Sequence, residues 1–105
     1  MMKKSAPYWT KRAATRLRNA VKYIAVNFYP EYAIAFRSDA IETANSIPAN
    51  PYMGEEAFPL MKRPDIRKVL CRNKKWWVFY KITKERVYII SVKHTLQRVD
   101  TFSDL

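Results

Sequence analysis

One histidine, a scatter of arginines and lysines, and a tandem pair of tryptophans are the residues of this chain that could do chemistry. Histidine is the side-chain type whose ordinary pKa suits proton transfer near neutrality, so His94 is the best available general acid or base. Arg67, Lys81 and Arg98 are the cations that could stabilise a phosphate beside it. The plainer reading of His94 is a strand-end residue that hydrogen-bonds a neighbouring carbonyl. Arg67 and Arg72 could equally hold a phosphate or a carboxylate, or stand as solvated strand residues, and Lys62, Arg63 and Gln97 extend the same polar set. Trp77 could stack on a nucleic-acid base, whereas Trp76 and Tyr80 read as core. Cys71, among apolar neighbours, reads as a small hydrophobe. One Cys and one His cannot build a structural zinc site or a disulfide, so neither a metal nor a cofactor is expected.

The elements that must position these residues follow from periodicity. Thr10 is a helix N-cap, and Ala13, Leu17, Ala20, Val21, Ile24 and Phe28 then recur at helical spacing. The opposite arc carries Lys11, Arg12, Arg16, Arg18 and Lys22, so burying the stripe presents a ridge of cations. Pro30 suits the first turn of a second helix, with Ala33, Phe36, Ala40, Ala44 and Ile47 as its stripe and Pro48 as its stop. Small residues on both stripes let an antiparallel helical hairpin close tightly. Residues 48–64 hold four of the six prolines and the only glycine, and read as a long loop. Three runs rich in β-branched and aromatic residues follow, Ile66–Arg72, Trp76–Ile82 and Val87–His94, separated by hairpin-length gaps. The predicted fold is therefore α+β, one domain over residues 1–105. A helical hairpin covers one face of a three- to four-stranded antiparallel sheet, a short edge near Lys4 to Tyr8 supplying the fourth strand. In the middle strand Trp76, Val78, Tyr80 and Ile82 share one face and Trp77, Phe79 and Lys81 the other. With one face given to the helices, the other is expected to stand open as an aromatic surface rimmed by cations.

Charge narrows the partners. Twenty Lys and Arg against nine Asp and Glu give a formal charge of +11 in 105 residues, a field that favours polyanions or an acidic protein. Residues 1–30 carry seven basic side chains and no acidic one, and residues 61–98 carry twelve against two. Solubility alone is the bland account of such an imbalance. No segment approaches the roughly 20 apolar residues of a membrane span, and the lone cysteine fits a reducing compartment, so a cytoplasmic protein without membrane contact is expected.

The order helix, helix, three-stranded meander, carried by YWTKRAATRLRNAVKYIAVNF, SIPANPYMGEEAF, RKVLCRNKKWWVFYKI and RVYIISVKH, resembles the RelE/ParE superfamily of toxins from bacterial type II toxin-antitoxin modules, the plasmid-stabilisation type. The resemblance spans roughly residues 7 to 98. It implies a growth-inhibiting toxin neutralised by a small acidic antitoxin, in a complex that can be a heterotetramer. Its target would be either messenger RNA on the ribosome, which it would cleave, or DNA gyrase. The nuclease branch of that superfamily keeps an arginine on the middle strand where this chain has Trp77, and another just beyond the last strand, where Thr95 and Leu96 stand with Gln97 and Arg98 following. These departures favour non-cleaving action of the ParE type, with RNA cleavage through His94 or a free-standing nucleic-acid-binding module as alternatives.

Overall fold

Thr10 starts the first helix by chemistry local to its own turn: its Oγ1 accepts the Ala13 N–H at 3.1 Å. The helix, α1, runs Lys11–Asn27, after a two-residue strand β1, Tyr8–Trp9. Helix α2, Pro30–Ser46, begins with proline at its first turn and passes into a 3₁₀ turn at Ile47–Ala49. The remaining strands are β2 (Glu55–Glu56), β3 (Ile66–Leu70), β4 (Trp76–Ile82) and β5 (Val87–His94), and 3₁₀ turns lie at Pro59–Met61 and Phe102–Asp104. The computed structural model describes residues 6–105.

The two helical stripes meet the sheet as their spacing requires. Ala13, Leu17, Ile24, Ala33, Phe36, Ala40, Ala44 and Ile47 are buried in one cluster with Val78, Tyr80, Val87, Ile89 and Val92. Phe28 departs from the expected stripe: it caps α1 rather than continuing it and is 58% exposed.

The fold is α+β, with a helical hairpin on one face of the sheet, but among the described residues the sheet has five strands and is mixed, in the order β1-β5-β4-β3-β2. β3, β4 and β5 form the expected antiparallel meander. Glu55–Glu56 pairs antiparallel with β3 from within the long loop, and Tyr8–Trp9 runs parallel to β5. Part of the edge expected near Lys4 to Tyr8 lies outside the described residues. The parallel pairing follows from connectivity, since a segment that leads directly into α1 must lie beside the strand on which α1 packs. Two-residue strands are too short to show alternation, which is why neither was legible as periodicity.

A third departure concerns the face away from the helices, which is not open. Phe79 is 1% exposed there, packed with Ile66, with Phe58 from the long loop and with Leu105 from the tail, and with Trp77, Ile90 and Val99 around them. A bulge lets β5 serve both faces: Phe79 lies opposite Ser91 and Tyr80 opposite Ile89, leaving Ile90 as an extra residue. The open aromatic surface expected from the sequence is thus closed over its centre by the chain's own segments, because Phe58, Val99 and Leu105 bury apolar area against it. The long loop is fastened from the helix side. Tyr80 donates its hydroxyl to the Pro51 carbonyl at 2.7 Å and accepts the Gly54 N–H at 3.0 Å. Gly54 has no room for a side chain, since a Cβ would meet Lys68 O at 2.5 Å and Tyr80 Oη at 2.7 Å.

Candidate functional site

Strand pairing fixes where the four residues considered for catalysis lie. His94 is paired with Trp76 at one end of the meander, on the helix face, and its ring meets the Trp76 ring edge-on with centroids 5.0 Å apart. Phe36 of α2 stacks on the other side of Trp76 at 4.6 Å. Arg67 is paired with Tyr80, four residues along β4 and one strand further over. That separates it from His94 by about 13 Å along the strands and about 10 Å across them. Lys81 projects from the opposite face, and Arg98 sits in the tail, where its Nε is 2.6 Å from an Asp100 carboxylate oxygen. The structure does not bring the four together.

Three of the four, His94, Arg67 and Arg98, have local partners. His94 organises the turn that follows β5: its Nδ1 accepts the Leu96 N–H at 3.1 Å, its carbonyl accepts the Gln97 N–H at 3.0 Å, and its own N–H donates to Gln97 Oε1 at 2.7 Å. Arg67 donates to the carbonyls of Gly54 and Pro64 at 2.9 and 3.0 Å and lies over the Tyr52 ring, so it ties the long loop to β3. Arg63 grips Asp65 through two hydrogen bonds of 3.0 Å, and that guanidinium holds the Asp65 carboxyl below its usual range. Lys62 is exposed and left-handed, at φ 53°, where it ends a 3₁₀ turn. Arg72 is exposed in the β3–β4 turn. Trp77 is part-buried on the far face with the Lys68 ammonium 4.4 Å above its ring, a cation–π contact. Cys71 is buried, and burial pushes its thiol up to about 11, away from nucleophilic use at neutral pH.

A prominent concavity lies on the helix side and takes in His94 alone of the four. A groove of about 1070 Å³ opens between α1, α2, the β3–β4 turn and the end of β5. Its apolar lining includes Ala20, Ile24, Phe36 and Trp76; Arg16, Lys75 and His94 border it at one end, and Tyr23, Phe28 and Tyr32 at the other. Those last three are each more than half exposed. Asp39 of α2 holds the mouth in place by accepting the Arg72 and Asn73 N–H groups at 3.2 and 2.9 Å. Sequence reading passed over Asp39 and the groove, and gave Arg16 only as one cation of the α1 ridge, because their placement depends on which turn of which helix faces the end of the sheet. The ridge of cations on α1 was the one signal that pointed there. Among the described residues no group of three or more His, Cys, Asp or Glu side chains could hold a metal ion, and no helix is long and apolar enough to cross a membrane.

Comparison with known proteins gives a consistent result. Residues 8–99 match the family described as ParE toxin of type II toxin-antitoxin system, parDE. Among solved structures, a chain of the chromosomal ParDE TA system from P. aeruginosa superposes with a TM-score of 0.71 at 18% identity, over 87% of this chain and 96% of that one. No curated protein matches.

Proposed function

Because the chain belongs to the family of ParE toxins of type II toxin-antitoxin systems, we propose that it arrests growth by binding its target, DNA gyrase in the cytoplasm, and not by cleaving RNA. The observation that carries this reading is the dispersal of the catalytic set. RNA cleavage at the 2′-hydroxyl needs a base, an acid and a cation around one phosphate. Here His94, Arg67 and Lys81 lie at different ends or faces of the sheet, and His94 and Arg67 are engaged in holding loops.

Neutralisation falls to an acidic antitoxin in the helix-side groove. Charge and shape support this together. A segment with apolar residues on one side would bury them against Ile24, Phe36 and Trp76, and its carboxylates would meet Arg16 and Lys75 at the rim. The net charge of +11 raises the encounter rate with such a partner. Anchorage in the groove by apolar burial predicts a complex that survives salt concentrations at which phosphate-only contacts fail.

Controlled expression, with DNA supercoiling, protein synthesis and messenger RNA integrity followed separately, tests the target. The expected result is an early change in supercoiling with RNA intact. Early, site-specific RNA breakage would overturn the reading in favour of the nuclease branch.

A further inference from the structure

We propose that Arg12, Arg16 and Lys93 form an oxyanion site, built to take a phosphate group, where α1 passes the outer edge of β5. Arg16 and Lys93 also line the helix-side groove, so the site adjoins the surface given to the antitoxin, but a phosphate ligand there would bind whether or not that surface takes an antitoxin.

Arg12 and Arg16 are one helical turn apart and share a face of α1. Arg16 reaches the edge of the sheet, where its Nε donates to the Leu105 carbonyl at 2.9 Å, and Ser91 Oγ of β5 donates to the same oxygen at 3.1 Å. Lys93 follows two residues after Ser91 and so leaves the same face of the strand, opposite Trp77. Its stem is covered, leaving the residue 9% exposed, while its ammonium reaches solvent without a protein partner among the described residues, and neither ion pair found there, Arg63–Asp65 nor Arg98–Asp100, involves any of the three cations. The nearby carboxylate, Asp104, is already engaged by the N–H groups of Asp100 and Thr101.

Cations held close together without a carboxylate between them repel one another, even where each ammonium or guanidinium reaches water. Lys93 registers this: its pKa is lowered, first by burial and then by Arg16, with a smaller push from Arg12 against the pull of Asp104. A doubly charged oxyanion would relieve the crowding. Arg16 spends its Nε on Leu105 and keeps the remaining guanidinium donors for the fork geometry that phosphate accepts. Trp77, paired across the strands with Lys93 and with Lys68 above its ring, gives a phosphate-bearing ligand an aromatic neighbour against which a base can lie.

The test uses the purified full chain and a fluorescein-labelled octathymidylate, with binding followed by anisotropy across a salt series. Lys93→Met and Arg16→Gln are each expected to weaken binding by about tenfold and to flatten the salt dependence by about one phosphate contact, while Arg37→Gln and Lys84→Gln, both at exposed positions, change affinity less than about twofold. Because Lys93→Met removes a crowded charge, its thermal midpoint is expected to equal or exceed that of the parent, which separates lost binding from lost folding. Competition with ATP and with inorganic phosphate distinguishes the source of the phosphate: displacement by either at concentrations comparable to the octamer means a free ligand, and displacement by neither means a strand. Parent-like binding by Lys93→Met, or equal losses in all four variants, overturns the site, as does displacement of the probe by a polyglutamate peptide as potent as an unlabelled octamer.

Discussion

The two faces of the sheet are closed by different means. On one, two helices bring a continuous apolar stripe each against Val78, Tyr80, Ile89 and Val92. On the other, Phe58, Val99 and Leu105 arrive singly from a loop and a tail to cover Phe79 and Ile66. The helix face is held by many cooperating contacts, whereas the far face depends on a few side chains and on the Arg16 and Ser91 hydrogen bonds to Leu105. A periodic cover forms part of the global folding unit, and an aperiodic one opens by itself at lower cost.

Truncation of one anchor on each side gives the largest effects. Phe36→Ala is expected to lower global stability by about 3–5 kcal/mol, read as a fall in the denaturation midpoint. Leu105→Ala, at about 2 kcal/mol, is expected to act locally, speeding amide exchange at Ser91 and Asp104 while leaving the helix amides protected. Equal loss of protection in α1 would erase the distinction between the faces. At the junction of loop and sheet, Gly54→Ala forces a Cβ against the Lys68 carbonyl and Tyr80 hydroxyl and is expected to cost about 1–3 kcal/mol. Tyr80→Phe, which strands the Gly54 N–H, is expected to cost about 1–2 kcal/mol. Denaturation of the two single variants and the double checks this, and because both break one clamp the double should lose less than the sum.

The smallest effect concerns acid. The Thr101 and Asp100 N–H groups hold the Asp104 carboxyl below its usual value. A depressed carboxyl pKa stabilises the folded tail above the unfolded value of 3.8, and that contribution is lost as pH falls through the lower folded value. Tail amides should therefore exchange faster below about pH 4 than α1 amides do, and Asp104→Asn should remove that difference. An acid response shared equally by both regions would contradict the account.

What the sequence revealed divides along the same line. Helices α1 and α2, the three long strands and the split of Trp76 from Trp77 were all legible, because each has a period that repeats often enough to be counted. The far-face cover was not. Val99 and Leu105 are isolated among polar residues, and Phe58 sits between an alanine and a proline in a segment that reads as loop. The residues that could do chemistry were nameable by type, but their dispersal was not, since the positions of His94 and Arg67 follow from pairing register and from partners such as Gly54 and Leu96. The nearness of Lys93 to Arg16 was hidden for a related reason. It requires knowing that α1 runs along the unpaired end of β5, and a basic helix face alone does not say which strand it meets.

Replacement of His94 with Asn tests most directly whether this toxin works by binding. Asparagine can still accept the Leu96 N–H and keep the turn, while removing the only imidazole in the chain. Induced side by side, the parent and His94→Asn are expected to arrest growth equally, with messenger RNA intact in both. Discrete RNA cuts made by the parent and absent from His94→Asn would contradict the account.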